Sequence, residues 1–481
     1  VIPQKIQREK SEKFEGAYVK DPIVGLHKWV MSFDLNSLYP HLIMQYNISP
    51  ETLVADKAVK NMSVEKMLNK EVDTSILKDA TMTPNGALFK TTQKGFLPEL
   101  MQKMYDDRVK FKQLMIEAQK DYEKTKDPKL LRDISKFNNI QMAKKISLNS
   151  AYGAIGNVWF RYYNILVAEA ITTSGQLAIR YIEHSLNQYL NKILNTRGED
   201  YIIASDTDSV YITFDKLVSK VFVSDTDDNK IVEFLDRVAK EKIEPFIDKS
   251  YQDLAEYVNA YEQKMQMKRE VIADKGIWVA KKRYILNAHD VEGVRYKEPK
   301  LKIMGVEAVK SSTPAACREK IKEALTIIMT KDNQELNSFI QDFRKDFMDL
   351  KPELIAYPRS VNGLNKWTES HNLFKKGAPI HCKGAILYNH LLQDKKLQGK
   401  YPYIQEGDKI KFLHMKTPNV YQSTSISFMT KLPSELKLHN FIDYDMQFEK
   451  SFVEPLKFIT NIIKWQIDDS YGTQGTLEGF F

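Results

Sequence analysis

WVMSFDLNSLYP, residues 29–40, is the stretch on which the reading of this chain turns. Its first seven residues, WVMSFDL, form a continuous apolar run that ends in an acid, and such a run reads as a buried strand. Leu38, Leu42 and Ile43 then fall on one face at helical spacing. A strand passing straight into a helix delivers Asp34 to a strand end. Alone, a strand-end aspartate is more often a helix cap than a metal ligand. Two further segments change the balance. ASDTDSVYI (residues 204–212) places Asp206 and Asp208 two apart in an acidic turn between apolar runs, a hairpin pattern. On extended backbone that spacing points both acids to one side. Asp, Thr and Ser all suit ordinary turns. Two acids between apolar flanks are nevertheless costly without a counter-charge.

The opposite charges lie between these segments. PELMQKMYDDRVKFKQLMIEAQKDYEK begins a helix near Pro98, broken by DPKL near Asp127. A second helix is predicted to run to about Tyr152 and stop at Gly153, so that the two form an antiparallel hairpin. Arg108 and Lys112 are four apart and share a face. In KKISLNSAYG (residues 144–153), Lys145, Asn149 and Tyr152 share another. Packed antiparallel, Arg108, Lys112 and Lys145 converge on one anion, and a triphosphate is such an anion. Two divalent ions about 3.5–4 Å apart neutralise charge in phosphoryl transfer, and carboxylates suit Mg²⁺. For Lys112 by itself, a solvated charged face is an equally good reading.

Working outward, residues 1 to about 28 are polar, 50–95 are mixed, about 158–195 are helical and about 230–262 are helical again. GIWVAKKRYILNA (276–288) and VEGVRYKEPKLKIMG (291–305) read as basic strands. Beyond Gly305 the chain turns helical and Lys-rich, which marks a domain boundary. The 481 residues carry 71 Lys and Arg against 63 Asp and Glu, net charge +8, a mild basic excess that suits a polyanionic partner or a merely basic protein. Two cysteines, Cys317 and Cys382, exclude a disulfide framework and fit a reducing, cytoplasmic location. Cys382 follows His381, but no second pair at ligand spacing supports a zinc site. No apolar run reaches the length of a membrane span. The chain begins at Val1 without an initiator methionine, so a cut and a processing point both stay open.

DLNSLYP, KKISLNSAYG and SDTDS are similar to the three polymerase motifs of the family B DNA polymerases. VMSFDLNSLYP, NISPETL, GNVWFRYYN, KKRYILN, EPKLKIMG and KSSTP resemble, more narrowly, the replicative polymerases of T-even-type bacteriophages. The resemblance runs over nearly the whole chain. It implies an α+β right-hand fold: an antiparallel-sheet palm backed by helices (residues 1–95 and 157–305), short helical-hairpin fingers (96–156), a mostly helical thumb (306–465) and a tail (466–481). It implies a template-directed DNA polymerase adding dNMP to a primer 3′ end, with primer–template DNA and dNTP as partners and two Mg²⁺, or Mn²⁺ in their place, as cofactors. If phage-encoded, the location is the host cytoplasm.

The resemblance also implies roles. Asp34, Asp208 and the carbonyl of Leu35 hold the metals, with Asp206 as a secondary acid and Glu270 nearby. Ser37, Leu38 and Tyr39 meet the nucleotide, Tyr39 excluding a 2′-hydroxyl. Arg108, Lys112 and Lys145 grip the triphosphate, and Lys145 serves as general acid. Asn149, Tyr152 and Gly153 line the nascent base pair. Lys281, Lys282, Arg283 and Tyr284 contact DNA. Three departures stand out. Ala204–Ser205 replaces the usual Tyr–Gly before DTD. The fingers are short. The front lacks the DxE proofreading signature, since Asp121 and Glu123 have that spacing but fall on a charged helix. Polymerisation without proofreading is therefore expected, the exonuclease being a separate polypeptide or removed. QGTLEGFF at the end fits QxxLxxFF, so Gln474, Leu477, Phe480 and Phe481 are expected to bind a sliding clamp. Another class stays open: a catalytically silent, polymerase-like scaffold. Retention of Asp34 and Asp208 argues against it. A reverse transcriptase would show YxDD instead of DTD, and a template-independent transferase would extend primers without template.

Overall fold

A computed structural model describes residues 14–54, 59–223, 226–369 and 373–468. The chain divides into two compact units, residues 1–281 with 286–302, and residues 282–285 with 303–481. Both mix helices with antiparallel strands, an α+β architecture. No described helix is long and apolar enough to cross a membrane.

The first unit is built on strand β1 (Gly25–Leu35), which leads into helix α1 (Leu38–Gln45). The strand begins four residues before the apolar run does, because GLHK is held by β6 despite its polar character. Next come α2 (Val64–Leu68), the small hairpin β2 (Ala80–Met82) and β3 (Leu88–Lys90), and the long helices α3 (Phe96–Thr125), α4 (Pro128–Ile155) and α5 (Ile165–Ile193). Strands β4 (Ile202–Asp206) and β5 (Ser209–Thr213) form the acidic hairpin. Helices α6 (Asp215–Val221), α7 (Asp228–Val238) and α8 (Glu244–Tyr257) precede β6 (Met267–Ala280), β7 (Arg283–Val291) and β8 (Val294–Met304). The six long strands make one sheet in the order β4-β5-β1-β6-β7-β8. β1 lies antiparallel between β5 and β6.

Alternation along β1 sorts its side chains. Met31, Phe33 and Leu35 enter the core with α1, α5 and α8 residues such as Leu42, Ile171, Ile179 and Leu254. Ser32 and Asp34 therefore face the other side. The inward residues of β1 are anchored by apolar burial. Two sequence readings are corrected here. Helix α4 does not stop at Gly153 but runs to Ile155, with Gly156 at its end, because Gly153 adopts ordinary helical geometry. GIWVAKKRYILNA is not one strand: it breaks at Lys281–Lys282, where Lys282 takes a positive φ of 61°, giving β6 and β7.

The second unit packs α9 (Ala315–Thr330) and α10 (Asn333–Met348) around Phe343, Phe347, Phe448 and Phe452. It also holds a three-stranded sheet, β9 (Tyr357–Ser360), β10 (Lys409–His414) and β11 (Ser425–Phe428), in the order β11-β10-β9. The sequence reading of a helical segment missed these strands, which are too short for their alternation to stand out. The helix Ile380–Asp394 crosses β11 at Gly384, where a Cβ would lie 2.6 Å from Ser427 Oγ and 2.7 Å from its backbone nitrogen.

Candidate active site

Asp34 stands at the penultimate position of β1, paired with Ser209 of β5. The β4–β5 turn is Thr207–Asp208, with Thr207 at φ 57°. Its backbone is pinned from two sides: Leu35 N–H donates to Asp208 O at 2.8 Å, and Thr207 N–H to Tyr18 O at 3.0 Å. Those bonds bring Asp208 beside Asp34, and both line one cavity of about 410 Å³. Asp206 ends β4 while Asp208 belongs to the turn, so extended-strand alternation does not govern the pair, contrary to the sequence argument. Asp206 is not part of the cavity wall. It still adds negative field at Asp208 and Tyr39.

A bulge places the third acid. Ser32 pairs with Val271 but Phe33 pairs with Arg269, which leaves Glu270 as the extra residue of β6. Ser32 Oγ donates to Glu270 Oε2 at 3.2 Å and Lys302 Nζ to its Oε1 at 2.7 Å. Glu270 thereby joins Asp34 and Asp208 on the cavity wall. Burial raises the Asp34 carboxyl well above the usual carboxylate range, and repulsion from Asp208 and Glu270 raises it further. Burial also raises Asp208, with Lys145 opposing the shift. Neither carboxylate forms a salt bridge with another described residue, so two half-buried acids share a site that a divalent cation would relieve.

The helical hairpin supplies the cations. Arg108 and Lys112 of α3 and Lys145 and Asn149 of α4 line the same cavity as the acids. Arg108 is 8% exposed, its guanidinium donates to Ser37 Oγ, and its buried Nε has no partner among the described residues. Lys112 Nζ donates to Glu292 Oε1 at 2.6 Å. Glu292, in the β7–β8 turn at φ 51°, is a wall residue that sequence reasoning missed; its signal was only the EG turn in VEGV. Tyr39 and Tyr152 meet at 4.5 Å between ring centres. Burial pushes the Tyr39 hydroxyl up to about 12, with nearby Tyr152, Asp208 and Asp206 adding to the shift. Leu38 points its side chain into the core, 4% exposed, so any nucleotide contact from it is through its backbone. An adjoining cavity of about 650 Å³ shares Asp34, Arg108, Lys112 and Glu270 and adds Lys240, Lys268 and Arg295.

The remaining expected contacts divide. A Cβ on Gly153 would meet nothing within 4 Å, so open space adjoins it. Lys281 is exposed and pairs with Asp21 at 3.0 Å. Arg283 instead binds Glu307 at 2.8 and 3.0 Å and lies 4.8 Å from the Phe458 ring centre. Tyr284 is 6% exposed, so its ring is not on offer to a groove. Glu123 pairs with Lys126 and Lys300, which accounts for the acid in the spurious DxE spacing. Gln474, Leu477, Phe480 and Phe481 lie outside the described residues.

The pattern described as DNA polymerase family B matches residues 1–463. The chain is 34% identical over 521 aligned positions to the DNA-directed DNA polymerase of Escherichia phage RB69, covering 96% of this chain and 56% of that protein. It is 33% identical to the DNA-directed DNA polymerase of Enterobacteria phage T4, covering 95% and 56%. DNA polymerase 1 of Pyrococcus abyssi is 28% identical over 329 positions, covering 68% and 34%. The chain thus spans about half the length of the curated phage relatives it matches. With the family pattern extending over nearly every residue, and its three motifs lining or flanking one acid-and-cation cavity, the chain belongs to DNA polymerase family B.

Proposed function

We propose that this chain is a template-directed DNA polymerase that adds dNMP to a primer 3′ end. One observation carries the reading: Asp34 and Asp208, from distant segments, line one cavity with Arg108, Lys112 and Lys145. The residues fit two Mg²⁺, since oxygen donors converge where burial and repulsion already disfavour free carboxylate charge. Asp34, Asp208 and the carbonyl of Leu35 would hold them, with Mn²⁺ able to replace Mg²⁺. When bound, such ions neutralise phosphate charge and acidify the primer 3′-hydroxyl.

The protein groups do the positioning. Arg108 and Lys112 would exchange Ser37 and Glu292 for phosphate oxygens. Lys145 can protonate the departing pyrophosphate oxygen. The start of α1 presents the backbone of Ser37, Leu38 and Tyr39 to the same anion. The Tyr39 ring closes the sugar pocket against Tyr152, and Asn149 and Gly153 border the base pair. Lys281 and Lys282 meet the primer strand; Arg283 does so only after leaving Glu307. The C-terminal QGTLEGFF is proposed as a sliding-clamp peptide on its sequence alone. Asp121 and Glu123 are not proposed to act on 3′ ends: they share a charged helix, and Glu123 pairs with Lys126 and Lys300.

Primer extension with Mg²⁺ tests the proposal, with 3′-end loss scored in parallel. Templated extension by the wild type, abolished in Asp208→Asn while DNA binding stays within a few-fold, is expected. Extension retained by Asp208→Asn would refute the assignment, and DNA binding without extension by the wild type would favour a silent scaffold.

A further inference from the structure

A second cluster of ligating groups lies away from the Asp34 cavity, and none of its members lines either cavity described above. Asp228 opens α7, Asp274 lies within β6 and His289 within β7. One ligating atom from each lies within 4.8 Å of the others. His289 is 7% exposed, yet its Nε2 has no hydrogen-bond partner among the described residues. That nitrogen is 3.3 Å from Asp274 Oδ1 without the alignment of a hydrogen bond. The two carboxylates thus flank a buried imidazole nitrogen that has no hydrogen-bond partner among the described residues. Asn287 Nδ2 donates to Asp274 Oδ1 at 2.8 Å and fixes the carboxylate, as supporting residues do around metal ligands.

We propose that Asp228, Asp274 and His289 bind one divalent transition-metal ion, of which Zn²⁺ is the best probe. Two carboxylates balance its charge, and an imidazole ligand selects Zn²⁺ over Mg²⁺ or Ca²⁺. Bonds of about 2.0–2.2 Å need the donors somewhat closer, and the exposed Asp228 can close by roughly 1 Å. The ion ties the start of α7 to the sheet. Helix α7 also carries Asp236, whose carboxylate meets Arg269 at 2.8 Å, so the tether steadies an ion-pair network beside the larger cavity.

The test is Zn²⁺ binding and thermal unfolding of the full chain in millimolar-scale Mg²⁺, which fills carboxylate-only sites. One saturable Zn²⁺ is expected, raising Tm by about 3 °C or more at a hundredfold excess over Kd. His289→Leu and Asp228→Asn should each lose the shift, while Asp208→Asn keeps it. Because Asp228 is exposed, its variant should fold even if His289→Leu does not. Absence of saturable binding, an undiminished shift in the folded site variants, or a shift lost in Asp208→Asn would overturn the proposal.

Discussion

Asp34 sits where its surroundings disfavour a charge until a cation arrives. Its pKa is raised on folding, so the folded state binds a proton more tightly than the unfolded chain does. Below the ordinary carboxylate range the group costs nothing. As pH climbs through the raised folded value, the full destabilisation develops. Asp34→Asn should therefore stabilise the ion-free chain at neutral pH by roughly 1–3 kcal/mol and abolish extension; unfolding with and without Mg²⁺ checks both. The same sign makes Mg²⁺ affinity rise with pH, since ligation requires deprotonation. Tyr39→Ala should admit ribonucleotides, measured as the ratio of rNTP to dNTP incorporation; an unchanged ratio would count against the sugar role. These acids were legible because each sits at the end of an apolar run. Glu292 was not, because its partner Lys112 lies 180 positions away and nothing local marks the pair.

Helix α3 shows how an element is aimed. Its N-cap, Gly95, has no side chain to offer, so distant residues cap it. Phe96 N–H donates to Glu51 Oε1 at 2.6 Å, Gly95 N–H to Asn47 Oδ1 at 2.8 Å, and Asn47 Nδ2 reaches Lys90 O and Gln93 O at 2.7 Å each. NISPETL thus has a physical task beyond resemblance: it fixes the root of the helix that bears Arg108. Asn47→Ala should cost about 2–3 kcal/mol by stranding buried partners and weaken dNTP binding, read by denaturant unfolding and by KM. A second fixed point is the buried Arg269, held by Asp290 and Asp236. Asp290→Asn should cost about 3–5 kcal/mol, since it leaves a buried guanidinium partly uncompensated. Helix periodicity made α3, α4 and α5 legible. The β6 bulge that aims Glu270 was invisible, because register belongs to two strands and not to one.

A net charge of +8 and the exposed Lys281 suit an electrostatic grip on DNA. With about six phosphate contacts, affinity should fall about 10³-fold between about 50 and about 200 mM salt, measured by titration of labelled primer–template. Many of the helices and strands could be read from run lengths and breaks, and the family, with the α+β fold it implies, from the resemblance of three motifs. The sheet β9-β10-β11 could not, because its strands are only four to six residues long and β9 finds its partner β10 about fifty positions away. The proposed chemistry requires Asp34 and Asp208 to converge on shared cations. Anomalous diffraction from Mn²⁺-soaked crystals holding primer–template and dNTP measures this directly. The account predicts manganese peaks contacted by both carboxylates; peaks absent there, or touching only one of the two, would contradict it.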